Sequence, residues 1–200
     1  MAFYWAIFKK DGSNIFRFDT RIYLESIAKP EANDTCIGAI AGKNPGSAKP
    51  TDLSISGIQK IKLSNDKLLP NVRSIVEKAY EYSNKTYSRN SYIQVQNLFY
   101  LCNPSLDEAI IELSNYDKPP KCDSENRVFP WRWYVWGGSN KKNIANLKKR
   151  FIHEGALNNI YYHTESKCIK NQMPDLDHSA RHTQGLSHDL IVPSIAKLLS

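Results

Sequence analysis

Apolar and polar positions along the chain predict strands that alternate with helices. Four apolar runs, each followed by a turn or a polar connection, predict buried strands at residues 36–42, 92–99, 131–136 and 160–164. The spacing of apolar residues and the positions of prolines predict helices at residues 70–82, 104–113, 143–152 and 193–199. Elements in this order favour an α/β domain. We therefore predict a three-layer α/β/α sandwich around a central, mostly parallel four-stranded sheet.

The N-terminal segment has a different pattern. Residues 3–9 and 14–24 are aromatic-rich runs on either side of the turn sequence Asp-Gly-Ser at residues 11–13, which is typical of a β-hairpin. We expect this hairpin, within residues 1–30, to lie at one edge of the sheet of a single domain that comprises residues 1–200. A long connection at residues 47–65 follows the first predicted strand, and long connections in compact domains are usually functional.

Composition limits the class of protein. A hydrophobic content of 41% and a charged content of 24% are ordinary for a globular domain of 200 residues. No apolar run approaches the roughly 20 residues that a membrane span requires. The first basic residues, Lys9 and Lys10, follow an apolar stretch, an order that differs from a signal peptide. We therefore expect a cytoplasmic, monomeric protein without a membrane partner.

The charge of the chain suggests a negatively charged partner. The formal net charge is +7 and the sequence pI is about 9.1, which favours a polyanion such as DNA. Five basic residues without an intervening acid occur close together, namely Lys141, Lys142, Lys148, Lys149 and Arg150. We interpret the last three as DNA contacts; the alternative is a solvated helix face. The four cysteines have neither zinc-site nor iron–sulfur spacing, so we expect no metal and no cofactor.

Two segments carry candidate chemistry. The first predicted strand ends in Gly-Lys-Asn-Pro-Gly-Ser at residues 42–47. A buried parallel strand that ends in this way delivers a polar side chain to the carboxyl edge of the sheet, where ligands of α/β proteins bind. The second segment is His-Thr-Gln-Gly-Leu-Ser at residues 182–187.

Together the two segments resemble the active-site motifs of the uracil-DNA glycosylase superfamily. The first is similar to the G-x-N-P-G form of the mismatch-specific and thymine-DNA glycosylase branches. The second is similar to the H-P-S-P-L-S or N-P-S-G-L-S loop that inserts into DNA, although Thr183 and Gln184 replace the usual Pro-Ser. The resemblance includes these motifs and the order of the strands; the N-terminal hairpin and the connection at 47–65 match nothing in that superfamily.

The resemblance implies roles for individual residues. Asn44 would orient the attacking water, and His182 would donate a hydrogen bond to the pyrimidine O2 and stabilise the anionic leaving base. Asn97, at the end of the second predicted strand, would read the Watson–Crick edge of the base through its amide. The structural alternatives are an asparagine that fixes a turn, a histidine without a catalytic role and an amide that ties a strand to a loop.

Other motif residues would contact the base or the DNA. The turn at the first strand end would border the base through Gly42, Lys43, Pro45 and Gly46. In the second segment, Leu186 would fill the gap left by a flipped base, since apolar wedges enter DNA in this way. Ser47, Gly185 and Ser187 would contact the DNA backbone.

Gly46 bears on the substrate. Branches that are strict for uracil have a tyrosine two residues after the catalytic aspartate, and its ring blocks substituents at pyrimidine C5. The corresponding position here is glycine, which leaves space for thymine or a bulkier 5-modified cytosine; a turn alone also explains a glycine. Modified cytosines that disguise some phage DNA are candidates, with a role in antiviral defence.

The predicted function is a DNA glycosylase that flips a pyrimidine nucleotide and hydrolyses its N-glycosidic bond, leaving an abasic site. A non-catalytic DNA-binding module on the same fold is one alternative. A DNA amino-methyltransferase is another, although Gly46 replaces the second proline of its N-P-P-aromatic turn and no G-x-G loop is present. A third alternative is a hydrolase of free nucleotides, which would need neither the Leu186 wedge nor much basic surface.

Overall fold

The structure is a computed structural model that describes residues 1–46, 49, 50, 52, 54, 57–63, 66–138, 142–153 and 155–199. Ser47, which the sequence motif assigns to the DNA backbone, and Lys141 of the basic run lie outside these residues. Much of the connection at residues 47–65 also lies outside them.

The described part of the chain contains nine strands. They are β1 (Ala2–Asp11), β2 (Asn14–Ile27), β3 (Thr35–Gly42), β4 (Lys49–Pro50), β5 (Ile58–Lys62), β6 (Ser91–Asn97), β7 (Phe129–Tyr134), β8 (Ala156–His163) and β9 (Cys168–Lys170). They pair in the order β4-β5-β1-β2-β6-β3-β7-β8-β9. Mixed α/β architecture is therefore confirmed.

The prediction of a four-stranded, mostly parallel sheet is wrong, because the sheet has more than four strands and most of its pairings are antiparallel. The four predicted strands do lie side by side as β6, β3, β7 and β8, and their three pairings are parallel. The remaining pairings are antiparallel, because β1 and β2 form a hairpin that joins the sheet where β2 pairs with β6. Strands β5 and β9 then extend the two sides of this mixed sheet. Short antiparallel strands need only tight turns, so they add to a sheet without a crossover helix.

The four helices of the described residues are α1 (Leu68–Ser83), α2 (Leu106–Ser114), α3 (Lys142–Lys148) and α4 (His188–Ala196). Helix α1 begins two residues before Pro70, because Asp66 Oδ1 accepts the backbone N–H groups of Leu68 and Leu69 at 2.8 and 3.3 Å. The prediction that the last helix begins at Pro193 is wrong. Ile191 is buried with the later residues of α4, and this packing extends the helix through the proline.

Helices lie on both faces of the sheet. Successive side chains of a strand point to opposite faces. Ile40 and Trp133 pack in one hydrophobic cluster with residues of α1 and α4. Ala41 and Tyr134, the next residues along the same strands, pack in a second cluster with residues of α2 and α3. No helix in the described residues is both long and apolar enough to cross a membrane.

The carboxyl ends of the parallel strands are connected by backbone hydrogen bonds. The N–H of Leu98 donates to Gly42 O at 3.0 Å, and the N–H of Val135 donates to Ala41 O at 2.9 Å. The N–H of Gly137 donates to Ala180 O at 2.6 Å, which brings the segment that contains the second motif to the same edge.

Candidate active site

Two cavities lie at the edge where the parallel strands end. The first has a volume of about 580 Å³ and the second a volume of about 370 Å³. Both are lined by Asn44, Leu68, His182 and Gln184. The tertiary structure thus brings the polar residues of the two motifs together, although they lie near opposite ends of the chain. These volumes are in the range of small-molecule sites.

The side chain of Asn44 is held by the loop that follows β6. Its Nδ2 donates a hydrogen bond to Asn103 O at 2.9 Å. Since this bond fixes the plane of the amide and uses the nitrogen, the oxygen Oδ1 is the atom that can accept a hydrogen bond from water. The backbone of the turn is held as well, because the N–H of Phe99 donates to Lys43 O at 3.4 Å. Asn44 is therefore placed as an acceptor beside both cavities.

His182 is placed as a hydrogen-bond donor. The backbone N–H of Gln184 donates to His182 Nδ1 at 3.2 Å, so the neutral ring carries its proton on Nε2. Burial lowers the pKa of the imidazole below its ordinary value; the Asp66 carboxylate opposes this effect and Lys43 adds to it. A neutral imidazole that donates from Nε2 can stabilise an oxyanion without transferring its proton.

The lowered pKa of His182 predicts a pH-dependent stability. As the pH falls below the ordinary pKa of histidine, the unfolded chain binds a proton before the folded protein does, and the folded state loses stability. We expect the free energy of unfolding of the wild type to fall more between about pH 7 and about pH 5 than that of His182→Gln. Urea denaturation at both pH values measures this difference. Equal losses in the two proteins would contradict the lowered pKa.

Several contacts hold the loop of the second motif. The amide Nδ2 of Asn71 on α1 donates to Thr183 O at 2.9 Å. The Nη2 of Arg181 donates to Gly185 O at 3.1 Å, and Gly185 has a positive φ of 73°. The N–H of Leu186 donates to Thr183 O at 3.1 Å and closes a turn. These contacts fix the conformation of the loop.

The remaining residues of that loop are not arranged as a wedge that could insert into DNA. Leu186 is only 5% exposed and packs in the same hydrophobic cluster as α1 and α4. Ser187 is exposed at the start of α4. Gln184 is the exposed side chain that borders both cavities. Insertion of Leu186 into DNA would therefore require the loop to leave the core.

Asn97 lies at the end of β6 but not among the described residues that line either cavity. Its side chain is buried, and neither atom of its amide has a hydrogen-bond partner in the described part of the chain. A Cβ atom added to Gly42 would come within 3.0 Å of Asn97 Oδ1. Glycine at position 42 therefore makes room for this amide behind the strand end.

Gly46 lines the second cavity and has a positive φ of 66°. A Cβ atom added here would meet no atom of the described residues within 4 Å. Both explanations of this glycine therefore have support, because the turn needs a left-handed residue and the position faces open space. Pro45 next to it is buried, and Lys43 lines the first cavity.

The basic run is not a uniform solvated face. Lys148 is 2% exposed, and its Nζ donates to the carbonyl oxygens of Leu176 and His178 at 2.9 and 3.2 Å. Arg150 forms an ion pair with Glu125, with Nε donating to Oε2 at 3.0 Å. Both side chains are thus engaged within the protein. Lys149 is the exposed member of the three.

Sequence reasoning missed several residues that line the cavities, among them Arg17, Asp66 and Trp136. Arg17 on β2 and Asp66 before α1 line the second cavity, and Trp136 after β7 lines the first. The signal for Arg17 was a charge between two phenylalanines in an otherwise apolar run, which indicates a buried cation. No sequence pattern distinguished Trp136 from the aromatic residues of β7 that precede it.

Two further cavities of about 400 Å³ each border residues 121–127, beside the amino-terminal end of β7. Among the described residues of the two motifs and of the basic run at 141–150, only Arg150 lines one of them. Within the described residues, no group of three or more His, Cys, Asp or Glu side chains is placed to hold a metal ion.

Comparison with protein-family models, with curated proteins and with solved structures found no match. The proposed function therefore depends on the two cavities at the sheet edge and on the residues that line them.

Proposed function

We propose that the protein is a DNA glycosylase that flips a pyrimidine nucleotide into the two cavities and hydrolyses its N-glycosidic bond. One observation carries this proposal: an amide oxygen acceptor at Asn44 and a neutral imidazole donor at His182 border the same cavities. Glycosidic cleavage needs this combination, because positive charge develops on the sugar while negative charge collects on the leaving base.

In the proposed reaction, Asn44 Oδ1 accepts a hydrogen bond from a water molecule and directs the water oxygen at C1′. The bond between C1′ and the base nitrogen breaks, and its electron pair stays on the base. His182 donates from Nε2 to the base oxygen that carries this charge. The water oxygen forms the new bond to C1′ and releases a proton to solvent, and the base anion takes up a proton from solvent, so that the products are an abasic site and a free base.

The proposed substrates are pyrimidines with a substituent at C5. Support comes from the open space beside Gly46 and from the second cavity that this residue borders. Thymine and 5-modified cytosines have such substituents, and modified cytosines in phage DNA would connect the activity with antiviral defence. Trp136 also borders the first cavity, but its side chain is only 1% exposed, so it serves as part of the cavity wall and not as an open stacking surface.

The proposal is tested by incubating the protein with DNA that carries a panel of pyrimidines, single- and double-stranded, and by assaying for abasic sites. We expect abasic sites for at least one 5-substituted base. No abasic site from any member, with DNA binding intact, would favour a non-catalytic DNA-binding module.

A second candidate is a hydrolase of free nucleosides or nucleotides. Two observations favour it: Leu186 is packed in the core, and Lys148 and Arg150 are engaged within the protein. This candidate needs neither a wedge nor a phosphate-binding surface. Comparing the release of a base from DNA with its release from the free deoxynucleoside distinguishes the two, since a DNA glycosylase acts far faster on DNA.

Salt dependence of DNA binding tests the one exposed member of the basic run. If Lys149 contacts a phosphate, Lys149→Gln should lower the slope of log Kd against log salt by roughly one unit. Arg150→Gln is the comparison: it should leave the slope unchanged and lower stability, because Glu125 loses its partner. An unchanged slope for Lys149→Gln would exclude this phosphate contact.

A further inference from the structure

The second cavity is lined by a buried cation, Arg17, which forms an ion pair with Asp66 and has two donor nitrogens without a hydrogen-bond partner in the described part of the chain. Arg17 is 1% exposed, and its Nε and Nη1 have no hydrogen-bond partner there. Its nearest described anion is Asp66, whose Oδ2 lies 3.7 Å from Nη1, beyond hydrogen-bond distance. Because buried guanidinium groups normally use their N–H donors, these atoms indicate a ligand with acceptor atoms.

Asp66 presents an acceptor beside these donors. Its Oδ1 accepts the backbone N–H groups of Leu68 and Leu69 at the start of α1, which holds the carboxylate in place. Its Oδ2 is directed to the Arg17 side. Among the described residues that line the two cavities, Asp66 is the only carboxylate.

The order of donor and acceptor distinguishes pyrimidines. A carboxylate only accepts hydrogen bonds, and a guanidinium only donates them. Cytosine has an amino donor at position 4 next to an acceptor at N3, whereas thymine and uracil have an acceptor at position 4 next to an N3–H donor. With position 4 at Asp66 and N3 at Arg17, the pair matches the cytosine edge at both positions and opposes the thymine edge at both.

We propose that Arg17 and Asp66 read the edge of the flipped base and select 4-amino pyrimidines, the cytosine class, over 4-oxo pyrimidines. This inference rests on the proposed glycosylase function. Asp66 accepts the amino group and Arg17 donates to N3. The C5 atom is adjacent to the carbon that bears the amino group, so its substituent lies on the same side of the ring. Gly46, which faces open space, lines this same cavity.

The test uses two bases that differ only at position 4, 5-methylcytosine and thymine, in the same DNA sequence. We expect single-turnover release of 5-methylcytosine to exceed that of thymine by about 10- to 100-fold, the scale of a two-point hydrogen-bond match. Asp66→Asn should reduce this preference to unity or reverse it, because an amide whose oxygen caps α1 presents an NH2 donor in place of Oδ2. The variant keeps an oxygen that can cap α1 but removes the ion-pair partner of the buried Arg17, so its stability should fall and its fold is checked by circular dichroism before the rates are compared.

Asp19→Asn is the matched control, since Asp19 also pairs with an arginine, Arg21, but lines neither cavity at the sheet edge. It should keep the wild-type preference. Equal release of the two bases by the wild type, or an unchanged preference in Asp66→Asn, would overturn the assignment.

A binding measurement separates this inference from the proposed function. Binding of 5-methyl-2′-deoxycytidine and of thymidine is followed by NMR for the wild type and for Asp66→Asn. Tighter binding of the cytidine by the wild type alone, without any base release from DNA, would support base recognition by Arg17 and Asp66 and reject the glycosylase function. Equal affinity for the two nucleosides, or no binding of either, would overturn base recognition by Arg17 and Asp66.

Discussion

Replacing Asn44 or His182 with alanine is expected to lower the single-turnover rate of base release by about 10²- to 10³-fold, the scale for removing one positioned polar group. Asn44→Ala removes the oxygen that directs the water. His182→Ala removes the Nε2–H donor at the leaving base. Quenched-flow or gel-based measurement of abasic-site formation, with enzyme in excess over DNA, reports the chemical step.

Two variants control for general effects of these substitutions. Asn158→Ala also removes an amide that donates to a backbone carbonyl, Pro130 O at 3.2 Å, but at an exposed position of β8. His153→Ala removes an exposed histidine beside a different cavity. Both controls should release base at the wild-type rate. Folded Asn44→Ala and His182→Ala proteins with wild-type rates would remove these residues from the reaction.

Replacing Gly46 with tyrosine is expected to suppress release of 5-substituted pyrimidines by about 10-fold or more, because a methylene-sized change in a binding pocket already changes specificity at this scale. The phenol ring would enter the open space of the second cavity. Release of an unsubstituted pyrimidine of the same class should change less. The ratio of the two rates is the quantity to measure.

Backbone strain must be separated from loss of space in this experiment. Because Gly46 has a positive φ of 66°, any side chain costs about 1–2 kcal/mol in this conformation. Gly46→Ala has the same strain without the ring and is therefore the reference for Gly46→Tyr. If the two variants release 5-substituted bases at the same rate, the open space beside Gly46 has no role in substrate choice.

Local patterns in the sequence predicted the central parallel strands and the N-terminal hairpin. Burial on both faces produces continuous apolar runs, so β3, β6, β7 and β8 were recognisable as adjacent parallel strands. The turn at residues 11–13 likewise marked the hairpin of β1 and β2. Short strands such as β9 carry little periodic signal, which is why the full size of the sheet and its mostly antiparallel pairing were not predicted.

The residues of the candidate site likewise fall into two groups, those that sequence motifs predicted and those that only the tertiary structure brought together. The strand end before Asn44 and the loop that contains His182 were visible as sequence motifs, because each depends on a few consecutive residues. Arg17 and Asp66 belong to no motif, since their relation exists only where β2 and the start of α1 border one cavity.

The alternating elements, the positive net charge and the two polar motifs follow from the order of residues alone. Which charged and apolar side chains remain available for a ligand depends on how distant segments pack. Lys148 and Arg150 have the charge to bind DNA, but their side chains form contacts within the protein. Leu186 packs in the core. Burial and pairing depend on segments distant in the chain, so a sequence pattern specifies the type of side chain but not its partner.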